Sequence, residues 1–190
     1  AQDLCLSDSV ECVGGSSLAG TTKTITLQSC LYSLTTMELL SDVDLSSVEG
    51  FSSVNIPPGA TYVIDGGNFT LSASKSSALG SLFTVEAGAS LELRNIVLTN
   101  EGGRAVYVES GGTLIAGEGC VFKGNTGADY GGAVYNHGTF TADSATFTDN
   151  TAYYGGAVYN YGGTCSGTDC MCQGNSPDNI QGCNLGSDCS

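Results

Sequence analysis

The chain has 190 residues, a formal net charge of −14 and only five Lys and Arg. That balance argues against nucleic acid and anionic membrane as partners, and no run approaches the roughly 18 apolar residues of a membrane span, so membrane insertion is not expected. The length sets one domain, and nine cysteines in a chain of this size point to an oxidising compartment.

In chain order, Ala1-Gln2-Asp3 reads as a mature terminus after signal removal or as an intracellular start that lost its methionine, and the cysteines favour the first. Residues 1–22 are polar and carry Cys5, Cys12 and Gly14-Gly15, which predicts a loop-rich N-terminal cap. Lys23 to Leu27 alternates as a first strand. Thr35 to Leu40 has a helix-start option, with Thr35 capping and Glu38 at the third position. A strand leading into Asp42-Val43-Asp44-Leu45 is preferred. Val54 to Gly59 marks a turn, Thr61 to Asp65 a strand, and strands continue at Phe69–Leu71, Leu82–Val85 and Leu91–Leu93. Asn68-Phe69-Thr70 is the only sequon, so Asn68 is the one glycosylation candidate.

From Gly102 one pattern returns three times. Gly102-Gly103-Arg104-Ala105-Val106-Tyr107 becomes Gly131-Gly132-Ala133-Val134-Tyr135-Asn136, then Gly155-Gly156-Ala157-Val158-Tyr159-Asn160. Each copy ends on a large residue, two spacers and an asparagine: Phe122 to Asn125, Phe147 to Asn150, Cys172 to Asn175. Asn100 lies one period upstream, with Val97 in the large-residue slot. A fixed period in this range is the mark of a solenoid. The apolar residues alternate with period two, and glycine punctuates β-branched and aromatic runs. Each repeat is therefore a coil of short strands, and stacked coils make an all-β, single-domain parallel β-helix, with room for about seven coils. Equivalent residues of adjacent coils stand about 4.8 Å apart. Asn100, Asn125, Asn150 and Asn175 are expected to form a structural ladder, Val97, Phe122 and Phe147 one core column, and Phe83, Val106, Val134 and Val158 another.

The Gly-Gly-Ala-Val and Phe-x-x-Asn pair resembles the GGA[ILV] and FxxN repeats of chlamydial polymorphic outer-membrane proteins and related β-helical surface proteins, well over residues 82–175 and loosely over 39–81. The resemblance implies a right-handed β-helix in a secreted or surface-displayed protein, often adhesive, and does not imply an enzyme. The C-terminal membrane barrel of some such proteins is missing here, so membrane anchoring does not transfer.

After Asn175 the repeat breaks into a loop-rich C-terminal cap, residues 176–190, leaving 23–175 as coils. Cys5, Cys12 and Cys30 lie towards one end, and Cys165, Cys170, Cys172, Cys183 and Cys189 towards the other; these eight are disulfide candidates. Zinc competes at Cys170-x-Cys172, but the one-residue gap is short for a zinc pair, and disulfides are preferred. Cys120 stands alone mid-chain and is the candidate free thiol. Cys165 replaces Phe140 and Cys172 replaces Phe147, as though covalent closure takes over where stacking ends. No cofactor is expected, and scattered acids without a glycine-aspartate nonapeptide repeat speak against calcium.

Chemistry has thin support. Arg94, Arg104 and Lys123 share no repeat slot, His137 has only Asp129 or Asp149 as candidate partners, and Asp65 with Glu86 or Glu92 would be a hydrolase pair only at the right separation. Tyr107, Tyr135 and Tyr159 should point outward in one column, with Tyr130, Tyr153, Tyr154 and Tyr161 near the same turns. Such a column either binds sugar or protein, or simply stacks on itself to stabilise the sheet. Thr139, Thr141, Thr146 and Thr148 resemble an ice-binding array, which Lys123 and Gln173 interrupt. The expected function is a non-enzymatic extracellular structural protein, a secreted or cell-surface filament subunit that self-associates through its solenoid ends. The odd number of cysteines adds one candidate link between chains. The alternative is an adhesin module for a cell-surface protein or glycan, and a polysaccharide-active enzyme comes third.

Overall fold

The structure, a computed structural model, describes residues 10–12, 36–46, 52–73, 80–127 and 129–189. The expected strand at Lys23 to Leu27, most of the N-terminal cap, and the side chains of Cys5, Cys12 and Cys30 lie outside the described residues. β1 (Val10–Cys12) comes first, and a first coil follows with β2 (Thr36–Leu39), β3 (Val43–Asp44) and β4 (Val54–Ile56). Thr36 to Leu39 is thus strand, as preferred over helix. The second coil is β5 (Thr61–Asp65), β6 (Thr70–Ala73) and β7 (Ser81–Val85); the third is β8 (Ser90–Arg94), β9 (Val97–Asn100) and β10 (Arg104–Val108). The fourth is β11 (Thr113–Ala116), β12 (Val121–Lys123) and β13 (Val134–Asn136), and the fifth β14 (Thr139–Asp143), β15 (Thr146–Thr148) and β16 (Val158–Asn160). The last is β17 (Thr164–Thr168), β18 (Met171–Gln173) and β19 (Ile180–Gln181), so the coils run on past Asn175.

Every third strand stacks in parallel, giving three sheets: β2-β5-β8-β11-β14-β17 with β1 added at its edge, β4-β7-β10-β13-β16-β19, and β3-β6-β9-β12-β15-β18. Each sheet holds six stacked strands, so six coils make about five turns, against the seven coils expected. Coil length is not the cause: Met37, Ile64, Leu93, Ala116, Ala142 and Gly167 are successive partners, so a coil takes 23 to 29 residues, close to the repeat period. The described coils begin at Thr36, and β1 before them adds none, because it runs antiparallel along β2.

The core is a set of axial columns. Phe83, Val106, Val134 and Val158 form one, as the repeat predicted, and Val54 and Ile180 extend it at its two ends. Leu71, Leu98, Phe122, Phe147 and Cys172 form a second. Val97 therefore does not fill the phenylalanine slot: it pairs with Val121 on the half-buried outer face, and Leu98 takes the place inside.

The same shift removes Asn100 from the ladder. Asn125 donates to Asn150 Oδ1 at 2.8 Å, Asn150 to Asn175 Oδ1 at 2.8 Å, and Asn175 to Asn179 Oδ1 at 3.1 Å. Each also donates to a carbonyl of the preceding coil, those of Leu98, Phe122 and Phe147. Asn100 is as buried but donates to the Arg104 carbonyl instead, and the Oδ1 atoms of Asn100 and Asn125 have no partner. The cause is the preceding residue. Gly124, Asp149 and Gly174 adopt positive φ and turn the next asparagine inward, whereas Thr99 continues β9 straight into Asn100. A second ladder, Asn136 to Asn160 at 2.6 Å, runs beside the β13–β16 pair.

The C-terminal end is closed. Cys165 pairs with Cys183 and Cys172 with Cys189, so the two cysteines that replace phenylalanine in the columns are the two that staple the cap. Between those bonds Asn184 bridges to Ser166, Leu185 is buried, and a single 3-10 turn, Ser187–Cys189, lies beside β18. Among the described residues no helix is long and apolar enough to cross a membrane.

Candidate functional site

The outward residues of β10, β13 and β16 are Tyr107, Tyr135 and Tyr159, in register one above the other. They are half-buried, with ring centroids 5.5 and 5.8 Å apart, a little more than the coil spacing. Two further columns flank them. Tyr130 and Tyr154 bridge in parallel and stack at 5.6 Å, and Tyr130 reaches Tyr135 at 5.4 Å and Tyr159 at 4.8 Å. On the other flank His137 lies 4.5 Å from Tyr135, 5.7 Å from Tyr107 and 5.2 Å from Tyr161. Tyr153 meets Tyr154 at 4.7 Å, nearly at right angles. Seven of the nine tyrosines and the one histidine thus form one contiguous face.

One cation lies in it. The Arg104 guanidinium sits 5.0 Å from the centre of the Tyr135 ring, a cation–π contact. Its Nε is buried without a hydrogen-bond partner among the described residues, and burial lowers its pKa from the ordinary value, against the opposing pull of Tyr135, Tyr107 and Asp129. Burial likewise raises the Tyr135 hydroxyl above its ordinary range, so that ring is neutral at neutral pH. The three tyrosines named from the sequence are brought together as expected. Arg104 was not singled out as part of this face. Its signal was its place in the repeat: Ala105 and Val106 align with Ala133 and Val134, which puts Arg104 in the slot of Gly132.

Of the acid–base candidates, Asp65 and Glu92 do come onto one face of two paired strands, Asp65 in register with Arg94 and Glu92 with Val63; His137 with Asp149, and Asp65 with Glu86, are not brought together. His137 packs among tyrosines, and Asp149 follows β15 in a different sheet. Glu92 pairs with Arg94 at 2.5 Å, Asp65 accepts from the Asn95 amide at 3.2 Å and the Gly67 N–H at 3.0 Å, and Glu86 follows β7 in another sheet. Asn68 is exposed in the turn between β5 and β6. Lys123 and Gln173 flank Thr148 in register and break the threonine array.

Cys170 corrects a sequence expectation: it is a buried free thiol, like Cys120, and forms no disulfide. The two occupy one small-residue column, Ile96–Cys120–Ala145–Cys170, and donate to equivalent carbonyls, Leu93 and Ala142. Two coil steps, about 10 Å, keep them apart. With Cys172 in a disulfide, Cys170-x-Cys172 is not a metal pair either. Burial pushes the Cys120 thiol up to about 12. The neutral thiol therefore supports the fold fully below its ordinary value of 9.0, and that contribution fades as pH rises towards about 12. Alkylation of the native protein at pH 8 is expected to leave Cys120 and Cys170 unmodified, and denaturation without reductant to expose both. Peptide mass mapping reads this, and native modification of either would place the column at the surface.

The family pattern of the Chlamydia polymorphic membrane protein repeat matches residues 119–137 and 144–161. Two adjacent segments of the chain are thus similar to that repeat. No curated protein and no solved structure matches the chain. The two matched segments supply Tyr130, Tyr135 and His137 from the first and Tyr153, Tyr154, Tyr159 and Tyr161 from the second, so the aromatic face is built almost wholly from them. The repeat, the parallel solenoid and the disulfides together point to a surface or extracellular repeat protein.

Proposed function

We propose that the protein is a surface-displayed adhesin module, which holds a carbohydrate or protein partner on the tyrosine face and performs no chemistry on it. The observation that carries this reading is where the rings end. A ladder serving only the sheet buries its rings. Here Tyr153, Tyr161 and Tyr154 remain 69%, 60% and 44% exposed at the rim of a contiguous aromatic face. Those three side chains leave the core columns untouched. Tyr153→Ala/Tyr154→Ala/Tyr161→Ala should therefore lose adhesion to glycan-coated or protein-coated surfaces while the melting temperature stays within a few degrees. A wild type that adheres to neither kind of surface, or a triple variant that adheres as well, would sink the reading.

A self-associating filament subunit is the second reading, and cysteine parity supports it. Of nine cysteines, six have described side chains, four of them in two disulfides and two as free thiols, which leaves Cys5, Cys12 and Cys30. An odd set of three favours one link to another chain. Against it stand β1 along one sheet edge and the stapled cap over the far end, which cover edges that end-to-end growth would use. Non-reducing intact mass, taken with the alkylation experiment above, separates a linked species from a monomer.

A further inference from the structure

Resting on the adhesive reading, we infer that the rim of the tyrosine face is a cation–π site for the arginine or lysine side chains of a basic partner polypeptide. Three observations carry it. The only guanidinium on this face already lies on one of its rings, Arg104 over Tyr135 at 5.0 Å. The array therefore offers ring faces in a geometry that takes a planar cation, and the contact inside the chain shows the mode. At the rim, Tyr153 and Tyr154 stand at 75° with centroids 4.7 Å apart, so their rings make two walls of an open corner. A cation placed in that corner meets the electron-rich face of one or both rings.

The second observation is what borders the corner. The Tyr130–Tyr154 bridge sets Asp129 level with Tyr153 one coil earlier, and the Asp129 carbonyl accepts the Tyr154 N–H at 2.9 Å. On the far side the Asp178 carbonyl accepts the Gly156 N–H at 2.7 Å. Both aspartates are exposed, and Asp129 already acts on the Arg104 guanidinium, so this edge carries negative charge that favours a cation. The third is the field of the whole chain. A net charge of −14 with five Lys and Arg attracts a basic segment and repels an anionic one before any contact forms. A neutral sugar would use the rings but gains nothing from the carboxylates or the field.

The test uses the full chain and a labelled peptide of alternating arginine and glycine, with its citrulline counterpart as the neutral control of equal shape. In buffer of about 0.15 M salt, where surface charges are screened beyond about 8 Å, the arginine peptide is expected to bind and the citrulline peptide to bind at least about tenfold more weakly. Tyr153→Leu/Tyr154→Leu should weaken arginine-peptide binding by about 5- to 20-fold, and Tyr153→Phe/Tyr154→Phe should stay within about twofold, because phenylalanine keeps the ring face and leucine keeps only apolar area. The loss in the leucine variant should persist at higher salt. Leucine and wild-type proteins binding alike would reduce the attraction to net charge, and citrulline binding as tightly would reduce it to stacking; either overturns the inference. No peptide binding alongside adhesion to a glycan surface would overturn it while leaving the adhesive reading standing. No binding to either would remove both.

Discussion

Gly132→Ala is expected to unfold the C-terminal coils. The glycine's missing side chain is filled by backbone: a Cβ there would overlap the Gly156 carbonyl oxygen and lie 2.7 Å from the Thr151 nitrogen and 2.8 Å from its oxygen. None of these is the end of a flexible side chain. Relief requires separating two coils, and that breaks together the bonds that the Gly131 N–H donates to the Tyr154 carbonyl and the Gly132 N–H to the Gly155 carbonyl. The next coil repeats the constraint, with Ser176 backbone 2.5 Å from a Cβ on Gly156. A cost above about 4 kcal/mol is expected, against a total stability on the order of 5–15 kcal/mol for a domain. Gly80→Ala is the control, because among the described residues nothing lies within 4 Å of a Cβ there. Urea unfolding should put its midpoint close to wild type. A Gly132→Ala protein with a wild-type midpoint would mean the coils are spaced more widely at this turn.

These close contacts explain how much of the fold was legible in the sequence. A solenoid repeats its neighbours, so each copy predicts the surroundings of the next. The Gly-Gly-Ala-Val-Tyr runs fixed the valine and tyrosine columns, and Cys165 and Cys172 could be read as phenylalanine replacements before their partners were known. Legibility failed where one backbone conformation changed. Asn100 keeps the asparagine period but follows Thr99 in a strand rather than a residue of positive φ, so Leu98 moved into the core and Val97 out of it. Cys170 was misjudged because clustering towards the C-terminal end does not say which column a cysteine fills: Cys172 takes the phenylalanine column of β18, and Cys170, just before that strand, takes the column of Cys120 and Ala145. Of the tyrosine face, the central column and the nearness of Tyr130, Tyr153, Tyr154 and Tyr161 to it were legible, but the packing of the flanks and the part of His137 and Arg104 were not. The flanks come from turn residues, and their packing depends on ring directions that a repeat period does not encode.

The second large effect is Phe122→Ala, expected to cost about 3–5 kcal/mol. Phe122 is fully buried, and its ring lies 4.9 Å from that of Phe147 at an interplanar angle of 4°. Phe147 in turn meets Phe140 edge-on at 6.4 Å, so the stack ties two sheets together. Removing the Phe122 ring opens a void between Leu98 and Phe147, and coils held at hydrogen-bonding distance cannot slide together to close it. Asn150 donates to the Phe122 carbonyl at 2.9 Å, so backbone relaxation there would also strain the asparagine ladder. Phe122→Leu should cost far less, on the order of 1 kcal/mol, because Leu98 already fills the same column one coil earlier. Equilibrium unfolding of the two variants side by side gives the answer. A loss below about 1 kcal/mol for the alanine variant, or equal losses for both, would show that the column is not a close-packed stack and that the ladder and disulfides hold the coils without it.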